Sequence, residues 1–250
     1  VSGWQRVLRG MLDILYPPPP LCALCERPLR HFLQGRGAVE EPSLLCVACE
    51  KQFAFIAGEI CHVCGRPWIG ESCGDCLRRK ERDFLFSRSA VRYNDKMKEL
   101  LARYKYRGDR KLAEVMAFFL QQAWRLHYAE MKVDCLTYIP LHEARLFERT
   151  FNQAEEMACL LGKRVGVPVY GMLERRKATE KQSKKDRAGR LHALENVFSY
   201  APCGKYDLPE RPVIVLVDDV YTTGTTVAEA GRAIRTGISG AQIYGLTVAR

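Results

Sequence analysis

Residues 213–227 read VIVLVDDVYTTGTTV. The first five are apolar, bounded by Pro212 and a carboxylate, which predicts a short strand buried on both faces. Asp218 and Asp219 follow, and two adjacent carboxylates at the end of a buried strand are costly unless partners meet them. A vicinal diol meets them, because each carboxylate accepts from a hydroxyl. Val220, Tyr221, Thr222, Thr223, Gly224, Thr225 and Thr226 then supply backbone N–H groups, hydroxyl donors and a flexible turn opening into a helix start. That is an anion-binding arrangement. A diol-binding pair beside an anion-binding turn fits a ribose 5-phosphate. A helix cap and a plain turn would not call for this whole order of groups. No Gly-Lys-Ser/Thr follows, so the stretch is not a Walker A loop.

Outward from this stretch, short apolar segments alternate with helical ones. Residues 84–93 read as a strand or strand pair. Helices are predicted over 95–106 and 110–126, with Gly108-Asp109 as the break between them. Residues 134–140 form a buried strand, 155–165 a helix and 168–173 a short strand. Residues 177–192 are polar and basic with little to bury, and read as a loop. A helix over 225–234 and a last strand over 242–248 complete the set. This alternation predicts an α/β fold, a mostly parallel sheet with helices on both faces. The carboxyl end of a central strand, where Asp218 lies, is where such sheets bind ligands.

The first third of the chain has another texture. Eight of the eleven cysteines fall there as four CxxC pairs: Cys22/Cys25, Cys46/Cys49, Cys61/Cys64 and Cys73/Cys76. A CxxC turn points two thiolates at one metal, and a second turn completes the tetrahedron that Zn²⁺ prefers. Four pairs therefore make two Zn²⁺ sites of four thiolates each. Sequential pairing is the simplest arrangement, and the spacing also allows an interleaved one. Closed all-thiolate sites are as a rule structural. Iron–sulfur spacings are not matched. The organisation predicted is an N-terminal helix and Pro-rich spacer over 1–20, a double zinc-ribbon module over 21–80, and the α/β domain over 81–250.

Composition bounds the rest. In 250 residues, no apolar run approaches the roughly 18 that a membrane span requires. Arg6, Arg9 and Asp13 interrupt the N-terminal apolar stripe, so no signal-peptide core is expected there. The expectation is a soluble, cytoplasmic protein without membrane insertion. The formal net charge of +10 is concentrated in two stretches. Residues 92–111 hold eight basic and three acidic side chains, and 175–190 hold eight and two. Such clusters favour polyanions. A single charge run is more often a plain solvated face.

The stretch containing Asp218 and Asp219 resembles the phosphoribosyl pyrophosphate (PRPP) motif of type I phosphoribosyltransferases. The resemblance implies Asp218 and Asp219 on the ribose hydroxyls, Thr222–Thr226 around the 5-phosphate, and Mg²⁺ bridging pyrophosphate and ribose oxygens. The order of features narrows it. The multi-CxxC module precedes YKYRGDRKLAEVMA (104–117), IPLHEARLFERTFNQA (139–154), RRKATEKQ (175–182) and NVF (196–198). Together these resemble the ComF family of competence-associated, phosphoribosyltransferase-like proteins, from residue 21 onward. One departure is plain: the usual Arg-Gly-Phe-Asn-Gln reads Arg149-Thr150-Phe151-Asn152-Gln153 here. The family implies DNA handling during natural transformation, often beside a DNA-translocating helicase.

Further residues complete the expectation. Arg149, with Arg145 behind it, is the phosphate contact expected on the pyrophosphate side, and His142 is a weaker general-base candidate. Lys105, Arg107, Arg175, Arg176, Lys177, Lys181, Lys184 and Lys185 are the DNA-binding candidates. Alternatively, the loop carrying most of them closes over bound PRPP. Tyr93, Tyr104 and Tyr106, interleaved with Arg103, Lys105 and Arg107, offer stacking faces for single-stranded DNA. The short stretch after the last strand leaves little chain for a hood over an acceptor base, so base salvage is not expected. The expected role is a DNA-uptake factor that binds a ribose phosphate and single-stranded DNA. Its rivals are a phosphoribosyltransferase with an unknown acceptor and a ligand-sensing regulator or scaffold.

Overall fold

The computed structural model describes residues 20–29, 44–79, 82–106, 109, 111–176, 197–202, 204 and 206–250. The N-terminal stripe and the basic loop over 177–192 lie outside them. The chain divides into two compact units, Val1–Gln52 and Phe53–Arg250. Cys22, Cys25, Cys46 and Cys49 belong to the first, and Cys61, Cys64, Cys73 and Cys76 to the second.

The two cysteine groups repeat one local design. Cys22 N–H donates to Arg27 O and Glu26 N–H to Cys22 O. In the same way Cys61 N–H donates to Arg66 O and Gly65 N–H to Cys61 O. Each knuckle closes with one left-handed residue, Glu26 (φ 58°) and Gly65 (φ 69°). Only the second requires glycine for space, since a Cβ there would sit 2.7 Å from the Ser87 carbonyl oxygen. The second CxxC of each group opens a short helix, α1 (Val47–Glu50) and α2 (Gly74–Arg78).

In the larger unit, β1 (Ser87–Val91) leads into α3 (Asp95–Tyr106) and α4 (Leu112–His127). Then follow β2 (Cys135–Tyr138), α5 (Glu143–Arg149) and α6 (Gln153–Val165). A two-stranded antiparallel ribbon of β3 (Leu173–Arg175) and β4 (Phe198–Tyr200) comes next. β5 (Val213–Val220), α7 (Thr225–Gly237) and β6 (Gln242–Ala249) complete the order. The main sheet runs β1-β6-β5-β2, all neighbours parallel. A parallel bridge from Leu136 to Val169 extends it beside β2. β5 is therefore central, and its predicted apolar run is fully paired on both sides.

The alternation of side chains along β5 separates two cores. Ile214 and Leu216 face one layer, packing with Ile243, Val227, Ala230 and Ile234 of β6 and α7, and with the second cysteine group. α4 and α6 cover the opposite side, packed on each other and on the sheet. α4 is buried on nearly every side, from Leu112 to Trp124, which suits an apolar helix enclosed by sheet and neighbouring helices. Each fully buried Leu, Ile or Val here contributes about 1.5–3 kcal/mol. Asp83 ties the entry of the domain to α7 by ion pairs with Arg232 and Arg235, each at 3.3 Å.

Candidate functional site

Both cysteine groups are closed in sequential order. In each, the four Sγ atoms lie within 4.8 Å of one another. Cys25 and Cys46 Sγ are 3.6 Å apart, and Cys64 and Cys73 Sγ are 3.7 Å apart. A tetrahedron with Zn–S bonds of about 2.3 Å has edges of about 3.8 Å, so both groups fit zinc. Burial disfavours the Cys61 thiolate, but N–H groups of Cys64, Cys73 and Val63 outweigh it and bring the thiol down to about 6. Cys22 is likewise brought to about 6, against burial, by the backbone of Cys46, Leu24 and Cys25. Neither group offers an open coordination position, which is the structural type of site.

The second site lies at the carboxyl end of β5. β5 runs three residues further than the apolar pattern predicts, because Asp218 still pairs with Thr247 and Val220 with Ala249 of β6. Asp218 and Asp219 are thus held on a strand rather than a loop, and Asp219 N–H donates to Asp218 Oδ1 at 2.8 Å. Burial pushes the Asp218 carboxyl up to about 7, and the neighbouring Asp219 charge adds to it. Tyr221 is buried, edge-on to Phe84 at 6.5 Å and under the Arg250 guanidinium at 5.0 Å. Gly224 turns the chain at φ 79° into the first residue of α7. Thr223 and Thr225 hydroxyls meet at 2.8 Å beside that helix start, so donors and the positive helix end face the same space.

Basic side chains from two elements reach the carboxylates, and a third cation lies beside them. Lys105 of α3, a DNA-binding candidate from the sequence, forms an ion pair with Asp219. Burial opposes its charge, but Asp219 and then Asp218 raise its pKa. Arg175 of β3 is half-buried and interacts with Asp218 and Arg145. Arg149 of α5 lies in the field of Lys105. Its Nη1 donates to Gln153 Oε1 at 2.9 Å, it stacks on Tyr106 at 5.0 Å, and its Nε is buried with no hydrogen-bond partner. Sequence reading named each of these cations but missed that Lys105 and Arg175 face the carboxylates. Only the path of α3 and of the β3–β4 ribbon brings them there.

Other expectations land elsewhere. Tyr104 is fully buried against Phe151 and offers no stacking face, whereas Tyr93 and Tyr106 are exposed. His142 caps α5, its Nδ1 accepting from Ala144 N–H at 3.3 Å. Asn152 caps α6 through Ala154 N–H and donates to Ile139 O, fixing the exit of β2 to the start of α6. Arg176 is exposed. Arg107, Lys177, Lys181, Lys184 and Lys185 lie outside the described residues. The described carboxylates form no metal cage near Asp218: groups of three or more ligating side chains occur among the described residues only at the two cysteine sets. The residues present fit a diol and an anion, and a Mg²⁺ ion at this carboxylate pair would take its remaining oxygens from the ligand and water. Among the described residues no helix is long and apolar enough to cross a membrane.

A double zinc ribbon domain is matched by residues 11–77, spanning all eight paired cysteines. With the acid pair and threonine loop at the end of a central parallel strand, this defines a zinc-ribbon protein with a phosphoribosyltransferase-like α/β domain. The chain belongs to the ComFC family of competence proteins. It is 33% identical over 238 residues to competence protein ComFC of Bacillus subtilis, covering 92% of this chain and 95% of that one. It is 31% identical to ComFC of Streptococcus pneumoniae (82% and 89% covered). Competence protein F of Haemophilus influenzae is 29% identical (81% and 89%). Solved structures that are similar include adenine phosphoribosyltransferases from Leishmania tarentolae (TM-score 0.35, 14% identity, 66% and 76% covered) and Saccharomyces cerevisiae (TM-score 0.30, 19% identity, 56% and 67% covered). Those superpositions are partial, and the assignment rests on the strand order and the loop.

Proposed function

We propose that this protein serves DNA uptake, binding PRPP or a related ribose phosphate in the cradle of Asp218–Thr226 and single-stranded DNA on its basic surface. The observation that carries the ligand is the convergence of Lys105 and Arg175 on a carboxylate pair that adjoins the threonine loop, with Arg149 beside Lys105. The carboxylates accept from the ribose hydroxyls. Thr222–Thr226 and the start of α7 hold the 5-phosphate. Arg149 and Arg145 face the pyrophosphate side. Mg²⁺ arrives with the pyrophosphate, which supplies the ligands this cradle lacks. The competence proteins to which the chain is similar support the DNA role, as does its excess of basic residues.

Calorimetric titration with PRPP and MgCl₂ tests the cradle. Wild type binds, and Asp218→Asn/Asp219→Asn loses binding while retaining its zinc; wild-type affinity in that variant would refute the assignment. Single-stranded oligonucleotide binding tests the second half. Its logarithmic affinity falls linearly with the logarithm of salt concentration. An absence of binding at low salt removes the DNA role.

A further inference from the structure

The ion pair between Lys105 and Asp219 has a consequence for which ligands the cradle accepts. α3 buries Met97, Leu100, Leu101 and Tyr104 on one face. That packing fixes the backbone next to Tyr104 and leaves Lys105 to reach the end of β5. The two side chains are 20% and 19% exposed, so the pair is largely shielded from water. Lys105 engages Asp219 through Oδ2. A carboxylate has two oxygens and about four acceptor positions, so Oδ1 stays available to a hydroxyl. The ammonium itself has three N–H donors, of which one suffices for Asp219.

The charge balance points the same way. The carboxylates of Asp218 and Asp219 are faced by Lys105 and Arg175, with Arg149 beside Lys105 and Arg145 beside Arg175. The pair therefore has its negative charge compensated by side chains before any ligand arrives, Asp219 by direct contact with Lys105. In many phosphate sites a divalent ion relieves repulsion between protein carboxylates and an incoming phosphate. Here that work falls to a side chain. A further dication at Asp219 would meet the ammonium at close range and be repelled.

We infer that Lys105 is the resident counter-cation of the carboxylate pair, making the cradle a metal-independent receptor for ribose 5-phosphates without a pyrophosphate group. This rests on the ribose-phosphate reading and narrows it. Divalent metal is then needed only when the ligand carries its own pyrophosphate. Lys105 is a specificity-determining residue of the cradle rather than a DNA contact.

Calorimetry with ribose 5-phosphate, in EDTA and in excess MgCl₂, tests this on the full zinc-loaded chain. Wild type binds in both buffers with affinities within about twofold. Lys105→Met loses about tenfold or more in EDTA, because the uncompensated carboxylate then repels the incoming phosphate, and recovers in MgCl₂. Lys105→Arg, which keeps the charge, behaves as wild type. Zinc content and thermal unfolding confirm that the variants fold, and the wild-type comparison stands without them. Binding by wild type only in MgCl₂ overturns the inference while the ribose-phosphate reading survives. A Lys105→Met variant as tight as wild type in EDTA overturns it too. No binding in either buffer removes the ribose 5-phosphate reading and the inference with it.

Discussion

Arg79 donates from Nη1 to the carbonyl oxygen of Thr223 at 2.5 Å, joining the residue that ends the second cysteine group to the phosphate loop. The link is reinforced on both sides. Arg250 donates to Cys64 O and stacks on Tyr221, and Phe84 meets Tyr221 edge-on. Between them lies a cavity of about 40 Å³ lined by Cys64 and Cys76 on one side and Thr222 and Thr223 on the other. The metal site and the loop thus share one wall.

Loss of the second zinc should therefore reach the ligand. Cys73→Ser is expected to lower the zinc content from two to one per chain and weaken ribose-phosphate binding. Arg79→Ala is expected to weaken binding with both zinc ions retained, since it frees Thr223 O without touching a thiolate. Metal analysis and calorimetry on the same preparations check both. Wild-type binding in Cys73→Ser would show that the shared wall does not hold the loop.

Gly224 is the second point of control. Its φ of 79° disfavours any side chain, and a Cβ would sit 2.2 Å from the Tyr221 hydroxyl oxygen. Tyr221 has little freedom to yield, being held by Phe84 and Arg250. Gly224→Ala is expected to destabilise the fold by about 2 kcal/mol or more and to weaken ligand binding. Adding Tyr221→Phe, which removes the oxygen but leaves the ring carbon Cζ 2.7 Å from the Cβ, should restore part of the stability and leave the backbone strain. Urea unfolding of the two variants measures the share due to the hydroxyl, and an unchanged midpoint for Gly224→Ala would contradict the geometry.

Asp218 makes stability depend on pH. Burial, then the Asp219 charge, lifts its carboxyl from the ordinary 3.8 to about 7. The folded chain therefore holds this proton over a range where the unfolded chain has released it. Stability falls as pH rises from the ordinary value through about 7, because the unfolded state binds fewer protons there. Asp218→Asn is neutral throughout and escapes the penalty. Its Tm should exceed that of wild type by several degrees near pH 8, with the gap shrinking steadily toward pH 5. A gap that stays constant, or that opens toward acid, would mean that the carboxyl is not raised.

What could be read in advance follows from how local each cause is. The central strand, the acid pair, the threonine turn and the paired cysteines all announce themselves within a few residues. Their chemistry is set by neighbours in sequence. The pairing of the cysteine groups is not legible in the sequence because spacing permits both arrangements. It is decided by the tertiary fold, which gathers the Sγ atoms of Cys22, Cys25, Cys46 and Cys49 in one group and those of Cys61, Cys64, Cys73 and Cys76 in the other. Lys105 and Arg175 were legible as charges but not as cradle residues, since Asp219 and Asp218 are far off in sequence. Tyr104 looked like a stacking face because it sits among basic residues. Its place on the buried stripe of α3, four residues after Leu100, was the better signal.

Thr150 stands where the resembling motif carries glycine, and the backbone explains that preference. It occupies the left-handed region, φ 65° and ψ −6°, at the end of α5, with its N–H on Leu146 O at 2.7 Å. A β-branched residue is an outlier in that region, at about 1–2 kcal/mol. Its hydroxyl recovers some of this by donating to Arg149 O at 2.6 Å. Glycine would remove the strain but give the unfolded chain more freedom, a loss of about 0.5–1 kcal/mol. Thr150→Gly should therefore stabilise by about 0.5–1 kcal/mol, raising Tm by a few degrees. Thr150→Val, which keeps the branching and loses the hydroxyl, should destabilise. If glycine lowers Tm at this position, the left-handed turn before Phe151 is wrong, and with it the placement of Arg149 beside the cradle.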